Sequence, residues 1–466
     1  MSNDLPVIVI GGGISGLACG HFLKRAGMEV LILEAAERPG GVIRTRQEAG
    51  FLFEEGPQSF TCTRELRALA RDLGIAAEML EADARAPRYV LLDGQLTAVP
   101  LSPLAFLRTP LLSGRSKRAL AGGLLRKTRP PQDDESVAAF VRRKFTPEIL
   151  ERLAGPMVSG IYAGDPERLS LRAAFPSIHE LERAHGSLLR GVMKARRKDP
   201  EDRASLSTFR GGNEVLVRAL ADALGRSLLC GAQVRHIRQA KIAGRAGFSV
   251  QIERPRGAQT LECHALVMAA DARAAGGLLA ELSPELGGLL TGIEFAGVAE
   301  VALGYERRQI GGPCDGFGFL VPRQAGLRLL GTVWNSSLFP GRAPERAALT
   351  TSFAGGALDP DAASLDPQTL AEIAHTELAG VMNIRGWPAF QAVRQYARAL
   401  PQYNLGHGAR MATAEGICAS FPGLWLAGNY LEGPALGACV KRAQRVARAA
   451  QEFLRQPAPA AAAEAI

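Results

Sequence analysis

Gly11-Gly12-Gly13-Ile14-Ser15-Gly16 is the strongest chemical signal in the chain. It follows the β-branched run Val7-Ile8-Val9-Ile10 and opens a segment of helical character. In that setting Gly11 lets the strand turn sharply, Gly13 lets backbone approach a diphosphate, and Gly16 lets the helix pack close to the strand. The diphosphate then rests on the positive end of the helix that starts at Ile14 and Ser15. Glu34 stands 23 residues after Gly11, close to the ~20 expected of a carboxylate that binds ribose hydroxyls. An acid at that place disfavours a 2′-phosphate, and with it NADP.

A second glycine pair lies just past the ribose carboxylate, in Glu34-Ala35 through Arg38-Pro39-Gly40-Gly41-Val42, with Arg44 following. Backbone N–H groups and cations there offer phosphate another place to bind. The pattern favours FAD over NAD, because the flavin end must be gripped by more of the chain. Other chemistries have no carrier. His179 and His185 are six apart and form no metalloprotease pair, no Gly-Lys dipeptide marks a P-loop, and no G-x-S-x-G elbow occurs. No metal site is expected. A flavin brings its own redox chemistry, so no acid or base is expected to be indispensable. No second G-x-G-x-x-G sits between strand and helix, so electrons should leave to oxygen or a quinone rather than arrive from NAD(P)H. His407 reads as a packing or loop-ordering residue, and His21, His236, His264 and His375 as structural or exposed.

These residues must be positioned by a large, ordinary globular chain. It has 466 residues, 47% hydrophobic and 22% charged, a composition that excludes collagen, wholesale disorder and small disulfide scaffolds. The seven cysteines are scattered and form no C-x-x-C pair, which reads as reduced thiols in a cytosolic protein. The N-terminus lacks the pattern of a signal peptide, and no run of apolar residues is long enough to span a bilayer. Residues 7–34 read as one βαβ unit. Strand-like segments return at 232–237, 248–252, 265–269, 298–305 and 317–322, with a helix at 368–382 and a strand, glycine-rich turn and helix over 423–453. The chain thus leaves its nucleotide domain and re-enters it.

The net charge is +9. Residues 94–132 contain no acid and interleave Leu101, Leu104, Leu107, Leu111, Leu112 and Leu125 with Arg108, Arg115, Lys117, Arg118 and Arg126. A second basic run covers Arg183 to Lys198, and residues 134–195 between and beyond read as mainly helical. The amphipathic stretch suggests contact with an anionic membrane surface, leucines in the interface and cations at the headgroups. Nucleic acid is not expected, since aromatics are 6% and none interleave the basic runs.

The run from Glu34 to Thr45 resembles the extended dinucleotide motif of the amine oxidase-like flavoproteins. Further segments resemble the protoporphyrinogen oxidase family: Glu55-Gly56-Pro57-Gln58-Ser59-Phe60, Gly160 to Asp165, Gly316 to Pro322, Pro401 to His407, and Leu426 to Tyr430 with Gly433 and Cys439. The resemblance runs from residue 5 to about 455. It implies FAD held by the glycines at 11–16, Glu34, Ala35, Arg38, Gly41 and Val42. It puts Gly56, Pro57, Gln58 and Ser59 near the flavin, the Val234 backbone at the adenine, and Asn429, Pro434, Ala435 and Leu436 over the flavin and ribityl chain. Phe317, Gly318 and Leu320 should line a tetrapyrrole cavity, with Arg88 as partner for a propionate. Two departures stand out. Gln58 replaces a cation or asparagine found in some relatives, and Gly437-Ala438 precede Cys439 where relatives often have Asn-Asp.

The implied fold is α/β: a doubly wound FAD-binding domain (1–85, 205–290 and 408–456), an inserted helical, membrane-contacting domain (95–204), an α+β substrate domain (291–407) and a disordered tail (457–466). The implied activity is oxidation of protoporphyrinogen IX with hydride passing to the flavin and oxygen as acceptor. Coproporphyrinogen III, an amine or carotenoid substrate, and a non-catalytic membrane flavoprotein are the rivals. The expected location is the inner face of the cell membrane. Oligomeric state stays open.

Overall fold

The computed structural model describes residues 5–188, 190, 205–255 and 257–456. Most of the basic run beyond Arg183, and the 457–466 tail, lie outside them. The nucleotide domain is built on a parallel sheet of five strands. In spatial order they are Leu228–Leu229, Val30–Leu33, Val7–Ile10, Leu266–Met268 and Leu424–Leu426. Numbered by chain position this is the order 3-2-1-4-5, so the strand order reverses beside Val7–Ile10. Every residue of Val7–Ile10 is buried, as expected of a strand covered on both faces.

One face packs on the helices Ile14–Arg25, Arg64–Asp72, Glu214–Leu224 and Leu436–Arg455. The other carries an antiparallel meander, Gln233–Ile242, Arg245–Arg254 and Gly257–Cys263, together with the helices Ala272–Leu279, Pro284–Thr291 and His407–Ala419. The strand-like segments at 232–237 and 248–252 therefore belong to this meander, not to the parallel sheet. The meander makes the crossover from Leu228–Leu229 to Leu266–Met268, a job a helix does in a simple doubly wound fold. The alternating exposed and buried residues of Gln233–Ile242 reflect one solvated face.

Each long excursion leaves the sheet between neighbouring strands. Between Val30–Leu33 and Leu228–Leu229 the chain builds the helical part, with Val137–Lys144, Gly155–Tyr162 and Pro176–His185 packed round a core of their own. Between Leu266–Met268 and Leu424–Leu426 it builds five strands of a mixed seven-stranded sheet. That sheet is ordered Phe390–Pro401, Phe295–Glu306, Ala347–Gly355, Leu329–Val333, Gly318–Leu320, Arg88–Leu92 and Gln95–Ala98. Residues 88–98 are thus part of this sheet. The cause is a non-local pairing: Gly318 is in parallel register with Arg88 and Leu320 with Val90.

The cationic amphipathic stretch is not one helix. It breaks into Pro103–Arg108 and Gly114–Leu125, each capped by a serine hydroxyl, Ser102 or Ser113. The chain turns inward at the break, so Leu111 and Leu112 are core residues. Leu101, Leu104, Leu107 and Leu125 remain largely exposed. Among the described residues no helix is long and apolar enough to cross a membrane. All seven cysteines are free, six of them buried.

Candidate active site

The carboxyl ends of Val7–Ile10 and Leu266–Met268 diverge at the point where the strand order reverses, the place where open α/β sheets bind ligands. Gly11 has φ +108°, and a Cβ there would meet the Ala269 backbone at 2.8 Å. At Gly16 a Cβ would stand 1.9 Å from the Gly11 carbonyl oxygen. Only bare backbone lets the helix start this close to the strand. Around Gly13 no neighbouring atom occupies the space within 4 Å of such a Cβ, leaving room at the helix N-terminus. The turn is held from below by Glu34, whose carboxylate accepts from the N–H groups of Gly12 (2.6 Å) and Ala36 (2.7 Å). A carboxylate has about four acceptor sites, so two further donors such as ribose hydroxyls fit.

From this turn a cavity of about 820 Å³ runs to the seven-stranded sheet. Gly13, Ile14, Ser15, Gly41 and Val42 line its nucleotide end, and Gly56, Pro57, Gln58 and Ser59 its middle, with Asn429, Pro434 and Leu436 opposite. Arg88, Phe317, Gly318 and Leu320 line the far end, joined by Leu153, Met157 and Gly160 of the helical part. Gly11, Gly12, Gly16 and Glu34 shape the turn without forming the wall. Ala35 lies beside Glu34, and Ala435 is the N-cap residue of Leu436–Arg455. Val234 is also off the wall. It sits at a bulge in its strand, two residues from Ala232, whose N–H donates to the Glu34 carbonyl, and so at the ribose end.

The Arg38 guanidinium donates to the carbonyls of Pro39, Gly41 and Ile43, shaping its own loop. Gln58 lines the cavity but its amide is fully engaged. Its Nε2 donates to the Gly56 carbonyl (3.0 Å), the Glu54 carbonyl (3.2 Å) and Glu300 Oε2 (3.0 Å), and its Oε1 accepts from Asn335 Nδ2 (2.8 Å). Gln58 thus braces the wall.

At the far end Arg88 is the one basic side chain on the wall among the described residues. Its guanidinium carbon stands 3.8 Å from the Phe317 ring centroid, a cation–π contact. No acid pairs with it among the described residues, and burial holds it below its usual range.

Tyr403 ties two of the sequence motifs together. Its hydroxyl donates to the Asn429 carbonyl (2.6 Å) and accepts from the Gly433 N–H (2.7 Å). His407 stacks on the Tyr403 ring, 4.3 Å between centroids, and its Nε2 meets the Tyr430 carbonyl at 2.8 Å. Burial keeps the imidazole below its usual range, and so neutral. It orders the loop, as expected. Tyr403→Phe removes both bonds and strands a buried N–H and a carbonyl. A stability loss of about 1–3 kcal/mol is expected, with weaker retention of the cofactor, checked by denaturant titration and by flavin released on dilution.

The sequence reading missed Glu300 and Tyr396, both on the wall. A signal existed for Glu300: it is the one acid in 295–305, whose other residues are apolar, glycine or tyrosine.

The family described as flavin containing amine oxidoreductase matches residues 14–451. A chloroplastic protoporphyrinogen oxidase of Nicotiana tabacum is 34% identical over 97% of this chain and 86% of that protein. The coproporphyrinogen III oxidase of Bacillus subtilis is 29% identical over 96% of this chain and 98% of that protein. Among solved structures, one from Exiguobacterium sp. 255-15 superposes with TM-score 0.80 at 24% identity, covering 97% of this chain and 99% of that one. The cyclohexylamine oxidase of Brevibacterium oxydans does so with TM-score 0.68 at 21% identity, covering 97% and 100%.

Proposed function

The chain belongs to the flavin containing amine oxidoreductase family, and we propose that it is an FAD-dependent oxidase of protoporphyrinogen IX. One observation carries the substrate: the cavity continues from the nucleotide turn into an apolar chamber whose one basic wall residue, among the described residues, is Arg88. When bound, FAD supplies a two-electron acceptor for hydride from carbon. The chain's own residues then have to bind, orient and exclude water. The turn at Gly13, Ile14 and Ser15 takes the diphosphate, Glu34 the ribose, and the Val234 backbone the adenine. Gly56 to Ser59 with Asn429, Pro434 and Leu436 enclose the flavin. Phe317, Gly318 and Leu320 face the macrocycle, and Arg88 receives a propionate. A macrocycle with few carboxylates suits such a wall better than coproporphyrinogen III does, although the Bacillus subtilis relative bears that name.

The test is anaerobic mixing with each porphyrinogen. Protoporphyrinogen IX should bleach the flavin, and air should restore its colour and release hydrogen peroxide. Recovery only with a quinone would reassign the acceptor. Faster bleaching by coproporphyrinogen III would reassign the substrate, and bleaching by neither would end the reading.

The substrate is sparingly soluble in water, and the exposed Leu101, Leu104 and Leu107 beside exposed Arg108 supply a place to meet the inner face of the cell membrane. An interfacial leucine contributes about 1.5 kcal/mol or more. Leu104→Ser with Leu107→Ser should weaken binding to anionic vesicles at least about tenfold in sedimentation assays, with activity on detergent-dispersed substrate unchanged.

A further inference from the structure

Glu300 lies on Phe295–Glu306, next to the edge strand of the seven-stranded sheet, opposite Arg394 on Phe390–Pro401 and Phe353 on Ala347–Gly355. It is half-buried and lines the cavity. Its carboxylate accepts from Gln58 Nε2, and Gln58 is itself fixed by Asn335, whose Oδ1 accepts from Thr351 Oγ1 at 2.9 Å. The acid is therefore held at one place beside the Gly56–Ser59 segment.

The chemistry asks for such a group. Drawing a hydride from a porphyrinogen carbon leaves a cation, which becomes a neutral C=N unit only if an adjacent pyrrole N–H gives up its proton. The proton needs an acceptor, and an apolar chamber offers little water. No histidine lines the cavity among the described residues. Asp271, the other carboxylate on the wall, caps Ala272–Leu279, its Oδ1 accepting from the N–H groups of Arg273 and Ala274. The Tyr396 hydroxyl is bonded to the Glu55 carbonyl.

Resting on the function proposed above, we propose that Glu300 is the general base that takes the pyrrole N–H proton as hydride leaves the substrate. One C–H bond breaks with its electron pair going to the flavin, one N–H bond breaks with its proton going to the Glu300 carboxylate, and a C=N bond forms. The proton then passes to solvent before the next round.

Several charged or titratable groups surround Glu300. Glu54 and Glu55 approach from the strand end before Gln58, and Arg394 and Tyr396 from the neighbouring strand. Burial foremost, then the two acids, hold the Glu300 carboxyl well above its usual range, while Gln58 and Arg394 pull it down. No cation stands within ion-pair distance of it among the described residues. A base of raised pKa is protonated and idle at low pH, so the bleaching rate should climb with pH along a limb lying above the ordinary carboxylate range.

The experiment is stopped-flow anaerobic bleaching of the holoenzyme by protoporphyrinogen IX across pH, with protoporphyrin IX binding read separately by fluorescence. Glu300→Gln keeps the size and the bond from Gln58. It should slow bleaching about 10²-fold or more, abolish the acid limb, and leave porphyrin binding within about twofold. Glu300→Asp should recover part of the rate and keep a limb. A Gln variant within about threefold of the parent rate with the limb intact overturns the proposal. So does a slow variant whose porphyrin affinity falls equally, or one that keeps the limb. If the parent itself is not bleached, the functional reading fails first and this inference with it. If the parent bleaches and the variant matches it, only the role of Glu300 falls.

Discussion

Gly16→Val is expected to yield a protein purified without flavin. A Cβ at this position would stand 1.9 Å from the Gly11 carbonyl oxygen, with the Ala269 side chain at 3.3 Å beyond it. Both near atoms belong to the turn and the sheet, and neither can swing aside as the end of a flexible side chain could. Relief requires the helix Ile14–Arg25 to move off Val7–Ile10. That opens the core shared by Leu17, Leu23 and Ile32 and withdraws the helix N-terminus from the diphosphate. Overpacking a dense core costs about 1–3 kcal/mol, occasionally more, and here the cofactor contacts are lost as well. Flavin absorbance of the purified variant measures the outcome. Flavin bound at the parent stoichiometry would contradict this account of the turn. Gly13, with open space around it, should tolerate alanine in the fold yet weaken FAD, because the added methyl fills the place assigned to the diphosphate.

Arg88→Ala is expected to raise KM for protoporphyrinogen IX with little change in kcat. The guanidinium is half-buried against Phe317 and is unpaired by any acid among the described residues, so a substrate carboxylate would be its partner. Removing one side of a buried charge pair costs about 2–5 kcal/mol. The lower end applies to a half-buried site, and about 2–3 kcal/mol corresponds to roughly 30- to 150-fold in KM. The propionate is remote from the reacting carbon, and binding felt equally by ground and transition states appears in KM alone. Lysine should restore only part, since a point charge cannot grip a carboxylate with two parallel N–H groups. An unchanged KM in the alanine variant would mean that the propionate lies elsewhere. A matching fall in kcat would mean that Arg88 sets the reacting geometry instead.

The local part of the fold is legible along the chain. Val7–Ile10, the glycine turn and Ile14–Arg25 follow from β-branched residues, glycines at fixed offsets and helical periodicity, all within thirty residues. The helix at Pro367–Met382 and the strand–turn–helix that ends at Arg455 follow similarly. The glycine turn proposed to take the diphosphate is legible for the same reason: a site of this kind is made by one contiguous turn.

What sequence order could not express is which distant segments would become neighbours. Arg88 meets Phe317 because Arg88–Leu92 adds to the edge of Gly318–Leu320 in parallel register, a pairing no periodicity announces. Leu111 and Leu112 share the apolar pattern of Leu104 and Leu107, but a turn between two short helices sends the first pair into the core and leaves the second outside. Arg38 looked free until its loop closed on it. Glu300 acquires meaning only when Gln58, some two hundred and forty residues earlier, comes to lie against it. The amino-acid order by itself determined the nucleotide turn and the cofactor class, because short-range sterics and backbone N–H geometry decide them. The apolar chamber with Arg88 and Glu300 on its wall was decided by tertiary packing, because burial and charge pairing are properties of neighbours in space.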